Sequence, residues 1–152
     1  MSTLDLLEST LTRVRVLVSG LTEEQLSFKP PDAEFSLREN VAHLRDIDVE
    51  GYERRVALIL SSSHPHLPDV NGAQLARERD YAHQPLASAL AAFEQSRRSS
   101  LDRLRSASPS DFERTGEMEG VGSVTLARLL ELWAAHDAGH LAEMERLRAG
   151  VG

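Results

Sequence analysis

The strongest constraint on the fold is the spacing of apolar residues, which recur at three- and four-residue steps along four stretches of the chain. In the first stretch Leu4, Leu7, Leu11, Val14, Leu17, Val18 and Leu21 form one stripe, with Ser2 or Thr3 as N-cap and Gly20 as the stop. Thr22 and Gln25 stand in capping-box register for a short turn before Lys29-Pro30-Pro31 breaks the chain. The second helix opens on a capping box of Ser36 and Glu39. It continues through Leu37, Val41, Leu44, Ile47, Tyr52, Val56, Ile59 and Leu60, and stops at Ser61 to Pro65. His66 to Gly72 reads as an irregular polar loop, and Ala73 to His83 fits either a helical turn or part of a long loop. Pro85 suits the first position of a third helix, whose stripe is Leu86, Leu90, Phe93, Leu101 and Leu104. Ser108-Pro109 ends that helix and caps a short turn through Phe112. Arg114 to Ser123, with three of the nine glycines, reads as a loop or weak hairpin. The last helix runs from Thr125 to about Ala149, with Leu126, Leu129, Leu130, Trp133, Leu141, Met144 and Leu147 inward.

Four amphipathic helices with little strand signal predict an all-α chain, a four-helix bundle with long connections in one domain over residues 1–152. A chain of 152 residues can bury a single core without disulfides or a structural metal. The absence of cysteine excludes a disulfide framework, a thiolate zinc site, an iron–sulfur cluster and a cysteine nucleophile. With 24 acidic residues against 17 basic ones, no broad cationic surface for nucleic acid is expected. No stretch reaches the roughly 18 apolar residues that span a bilayer. The opening MSTLDLLEST lacks the basic start and apolar run of a signal peptide, so a cytoplasmic protein without membrane attachment is expected.

The six histidines carry the chemical information. His64, His66 and His83 lie in or beside predicted loops and read as solvated side chains. His136 and His140 stand four residues apart on one helix, so their imidazoles point the same way and can ligate one ion. The glutamate that follows the first histidine in the zinc-protease helix motif is absent, since the sequence is His136-Asp137-Ala138-Gly139-His140. His43, on the second helix, can add a third imidazole, with Asp46 and Glu50 on its own face of that helix. Three imidazoles from two helices resemble a catalytic metal site more than a closed structural one. The alternative is a partly buried His43 bonded to Asp46 or a backbone carbonyl.

Two motifs, Ser36-x-x-Glu39-x-x-x-His43-Leu44-x-Asp46 and His136-Asp137-x-x-His140-Leu141, resemble those of the DinB-like (YfiT-like) superfamily of metal-binding four-helix bundles. The likeness extends over nearly the whole chain, through helix lengths, the long second connection and the glycine-bearing loop before the last helix. Phe35 stands where many members carry tryptophan. The resemblance implies that His43, His136 and His140 bind a divalent metal, with zinc, nickel, iron, cobalt and manganese as candidates.

It further implies a thiol-dependent S-transferase, of bacillithiol or mycothiol type, acting in stress or detoxification. A divalent metal lowers the pKa of a bound thiol, and the substrate brings the sulfur that this chain lacks. The partners implied are a low-molecular-weight thiol and a small electrophile, with Arg38, Arg45 and Arg128 as candidate anion contacts. A second reading is metal-dependent hydrolysis with Asp46 or Glu50 as base; a third is a non-enzymatic metal-binding or structural bundle. Asp137 and Glu143 are candidates for orienting a histidine, against a reading as solvated acids, which helix geometry favours for Asp137. Trp133 and Phe93 read as core, and Ser36 and Glu39 as capping residues. Apolar positions on the first and third helices suggest a homodimer.

Overall fold

The computed structural model describes residues 1–151. α1 (Thr3–Val18) and the short α2 (Glu23–Ser27) lead into α3 (Leu37–Asp46), a π-helical turn (Ile47–Tyr52) and α4 (Glu53–Ser61), which run on as one rod. The long second connection holds β1 (His66–Leu67), α5 (Gly72–Glu78) and a 3-10 turn (Tyr81–His83). α6 (Leu86–Arg105), a second 3-10 turn (Pro109–Glu113), the strands β2 (Thr115–Met118) and β3 (Gly122–Thr125), and α7 (Leu126–Val151) complete the chain.

The expected caps form. Ser2, Thr22 and Ser36 each accept a bond from the backbone N–H three residues on, and each box is closed by the cap residue's own N–H donating to the Asp5, Gln25 or Glu39 side chain. α1 packs against α6 and α7, and α3 packs against the same two helices. The first and second rods therefore stand at opposite corners of a four-helix bundle. Trp133, Phe93, Leu37, Leu44 and Leu129 fill the space between the rods, each fully buried.

Three local readings change and one open reading is decided. The second rod is not a uniform α-helix: the Glu53 N–H reaches the Asp48 carbonyl five residues back, which makes the π turn. Pro85 is the N-cap of α6 with extended ψ of 128°, and Leu86 is its first helical residue. His66–Leu67, expected in an irregular loop, pairs in parallel with β2, which in turn pairs antiparallel with β3. Leu67 explains this strand, because it is fully buried and lies close over Gly116, where a Cβ would come within 2.8 Å of Leu67 Cδ1. Finally, the ambiguous stretch after Gly72 is α5, capped by the Asn71 side chain on the Gln74 N–H.

An ion network crosses the centre of the bundle. Arg97 of α6 donates to Asp48 of the π turn at 2.8 and 3.0 Å, and to Asp137 of α7 at 2.7 and 3.0 Å. Arg97 also donates to the Leu7 carbonyl, Thr10 donates to Asp137, and the Trp133 indole N–H donates to Asp48. All four rods thus meet at one guanidinium. Asp137 is 2% exposed, so the expectation of a solvated acid there is overturned. Its place four residues from both Trp133 and Leu141 turns it inward. Burial pushes the Asp48 carboxyl up to about 6 against the pull of Arg97.

Leu6 and Val16 of α1 are exposed, and on α6 the exposed apolar positions are the small Ala87 and Ala91 with Leu86 half-buried. No helix among the described residues is long and apolar enough to cross a membrane.

Candidate metal centre

His43 lies two turns into α3, on the face that Asn40 and Ile47 share with it. α7 brings His136 and His140 to the same place. One ring nitrogen from each of the three histidines falls within 4.8 Å of the others. The Nε2 atoms of His43 and His136 are 3.4 Å apart, and the ring centroids of His140 lie 4.5 Å from His43 and 4.6 Å from His136. Phe35 walls the cluster beside His43 at 5.1 Å, and Tyr52, stacked on Trp133, approaches His136 at 6.2 Å. Gly72 closes the remaining flank of His43.

Burial holds all three imidazoles neutral. The His43 pKa is pushed down to about 3 by desolvation and then by its two neighbouring histidines, against the opposing charge of Asp46. His136 is pushed down to about 4 by burial, His140, Arg97 and Arg55. Burial lowers His140 too, with Glu143, Glu34 and Asp137 opposing it.

The donor set fits a divalent cation. Neutral imidazoles are ligands as they stand, with no proton to release. Metal–nitrogen bonds of about 2.0–2.1 Å at a tetrahedral centre set nitrogen pairs roughly 3.3–3.4 Å apart. The His43–His136 pair has this separation, which is long for a hydrogen bond between rings. On the other side of each ring, the Nδ1 atoms of His43 and His136 are buried without a hydrogen-bond partner among the described residues.

The acids expected beside the cluster are engaged elsewhere. Asp46 accepts from Arg45 at 2.9 and 3.2 Å and from the Tyr81 hydroxyl at 2.5 Å, and pairs with Arg79. Burial raises its pKa, but the Arg45 and Tyr81 hydrogen bonds and the Arg45 and Arg79 charges outweigh this and leave it below the usual carboxylate range. Glu50 is paired with Arg79. Glu143 accepts from the Phe35 N–H at 3.1 Å. A cavity of about 440 Å³, lined by Phe28, Ala33, Glu34, Arg146 and Leu147, shares Glu143 with this region.

The three arginines expected to contact an anionic thiol each have protein partners: Arg38 is bound to Glu23 and the Gln84 carbonyl, Arg45 to Asp46 and Gln84, and Arg128 to Glu131. His64, His66 and His83 are exposed beside Glu117, Glu119 and Asp80, as solvated histidines should be. Sequence reasoning missed Asn40 and Gly72, the two residues that touch the imidazoles of His140 and His43. A buried-register Asn40 three residues before His43, on the same face, was the available signal.

Taken together, the fold and cluster define a four-helix bundle with a three-imidazole centre in which His43 is buried and His136 and His140 half-buried. The sequence pattern of the DinB superfamily matches residues 6–144, and the chain belongs to that superfamily. It is 27% identical over 130 residues to the Oceanobacillus iheyensis protein OB0782, whose name assigns it provisionally to the metal-dependent hydrolases; the match covers 86% of this chain and 74% of that protein. The fold is similar to that of Bacillus subtilis YfiT, described as a probable metal-dependent hydrolase with an unusual four-helix bundle topology. That match has a TM-score of 0.86 at 21% identity and covers 95% of this chain and 83% of YfiT.

Proposed function

We propose that His43, His136 and His140 hold one divalent cation and that the centre is catalytic. The convergence of three neutral imidazoles from two rods within 4.8 Å carries this reading. Three protein ligands are the number used by catalytic zinc sites, against four in closed structural ones. Nitrogen ligation suits zinc, nickel, iron or cobalt, with manganese, which favours oxygen ligands, as a fifth candidate. Bound there, the cation supplies Lewis acidity that lowers the pKa of a nucleophile brought to it.

The nucleophile we propose is the sulfur of a low-molecular-weight thiol, transferred to a small electrophile. The chain has no cysteine of its own, and both carboxylates suited to serve as base for water, Asp46 and Glu50, are held by arginines. Hydrolysis is the second reading, favoured by the descriptions of the O. iheyensis and B. subtilis proteins. Phe35 and Tyr52 wall the site in either case, limiting water and orienting whatever enters.

Metal content of purified protein, measured by mass spectrometry beside His43→Ala, His136→Ala and His140→Ala, tests the centre. Near-stoichiometric metal in the parent and its loss in each variant is the expected result. Metal-loaded protein should then conjugate a thiol to a simple electrophile faster than His43→Ala does. Turnover of esters or amides without added thiol would replace transfer by hydrolysis. Protein that takes up none of the five metals on reconstitution would overturn both.

A further inference from the structure

The three imidazoles are not equally held. His140 Nδ1 lies 3.0 Å from Asn40 Oδ1, whereas the Nδ1 atoms of His43 and His136 have no partner among the described residues. Asn40 is fully buried, and its other end is committed: Nδ2 donates to the Ser36 carbonyl at 3.0 Å and lies 3.5 Å from Glu143 Oε1. Both of those atoms are acceptors, so an inverted amide would set its oxygen against two oxygens and lose both contacts. Ser36 and Glu143 therefore fix Asn40 with its oxygen toward His140, and that oxygen can only accept. Nδ1 of His140 must then carry the proton, which leaves Nε2 as the nitrogen with the free lone pair.

We propose that Asn40 is a positioning residue that locks the tautomer and ring orientation of His140, with Glu143 holding the amide in place. The purpose of this device rests on the metal-centre reading; the device itself is a property of the metal-free protein. It makes His140 the preorganised ligand, ready to bind through Nε2 without a tautomer change, while His43 and His136 adjust around the ion. Glu143 also accepts from the Phe35 N–H, so one carboxylate fixes both the aromatic wall of the centre and the amide that orients a ligand.

The test is tautomer-resolved nitrogen NMR of histidine-labelled, metal-free protein. In the parent, His140 should be the Nδ1–H form. In Asn40→Leu it should become a mixture or shift to Nε2–H, while Asn40→Asp, whose second oxygen takes a proton to face the Ser36 carbonyl and Glu143, keeps an acceptor toward His140 and should restore Nδ1–H. Zinc titration against a chromophoric chelator gives a second readout: the dissociation constant should rise about 10- to 100-fold in Asn40→Leu and recover at least in part in Asn40→Asp. If Asn40→Leu fails to fold, Asn40→Ala serves in its place. A His140 tautomer unchanged in the Leu or Ala variant overturns the proposal. If the parent binds no zinc, the metal-centre reading fails, and the tautomer result still decides whether Asn40 sets the ring.

Discussion

Gly72 lies so close to His43 that a Cβ at this position would stand 2.7 Å from the imidazole Cε1 and 3.1 Å from Nδ1. The ring cannot recoil freely, because Phe35, His136 and His140 surround it with centroids at 5.1, 5.4 and 4.5 Å. Gly72→Ala therefore sets two effects against each other. Alanine at the start of α5 gains up to about 1 kcal/mol in helix propensity, while overpacking a filled site costs about 1–3 kcal/mol. The expected net is a loss of about 1 kcal/mol in urea unfolding of the metal-free protein, with zinc affinity lowered about tenfold because a ligand ring is displaced. A variant more stable than the parent with unchanged zinc affinity would show that α5 does not press on the ligand.

Much of this arrangement was legible in the residues. Helical spacing and the Ser36–Glu39 box set the rods, and the i, i+4 pair His136 and His140 with His43 marked the site. Register carried more than was read from it. Arg97 falls between Phe93 and Leu101, Asp48 between Leu44 and Tyr52, and Asp137 between Trp133 and Leu141, each at four-residue steps within an apolar stripe. Charged residues in three stripes, one positive and two negative, are the trace of a buried ion network. The π turn and β1 left no such trace. The first depends on tertiary packing around Asp48 and Tyr52, and the second on a pairing with β2 that lies some fifty residues on.

The network around Arg97 predicts an order of variant stabilities. Arg97→Met leaves Asp48 and Asp137 buried without their cation and should cost about 3–5 kcal/mol. Asp137→Asn keeps the guanidinium paired with Asp48 and should cost less. Replacing Arg97, Asp48 and Asp137 together by methionine and leucines should recover most of the loss, since no buried charge then remains. Chemical denaturation of the set reads this directly. An Arg97→Met protein as stable as the parent would mean that the carboxylates find water or protons instead.

Tyr81 ties the strap over the site to the second rod. Its hydroxyl donates to Asp46 at 2.5 Å, and its ring, 1% exposed, packs near Phe35 at 6.3 Å. Tyr81→Phe keeps the packing and removes one bond to a charged acceptor, a loss of about 1.5–3 kcal/mol. Asp46 retains Arg45 and Arg79, which places the expected value at the lower end. Amide exchange over residues 72–83 should speed up more than exchange in α6, because the strap loses an anchor and the bundle does not. Equal acceleration in both would mark a global loss of stability.

The depressed histidines set the acid stability of the metal-free protein. In the unfolded chain an imidazole takes a proton near pH 6.5. In the fold, His43 does so at about 3 and His136 at about 4. Between these limits the unfolded state binds more protons, so stability falls as the pH drops, by up to about 1.4 kcal/mol per unit for each histidine. Asp48 acts the other way. Its folded pKa of about 6 lies above the unfolded value of 3.8, so between those values it binds more protons in the fold and favours folding as pH falls. Two histidines, joined by the lowered His140, outweigh this one carboxyl, and Asp46 adds to the loss once the pH passes below 3.8. Urea unfolding of chelator-treated protein at pH 7.5, 6.5, 5.5 and 4.5 should therefore show little change over the first step and a steepening loss over the next two. His43→Gln combined with His136→Gln should flatten that slope, leaving the lowered His140 and the raised Asp48 to oppose each other. A parent whose stability stays level down to pH 4.5 would mean that the imidazoles gain protons in the folded state as readily as in the unfolded one.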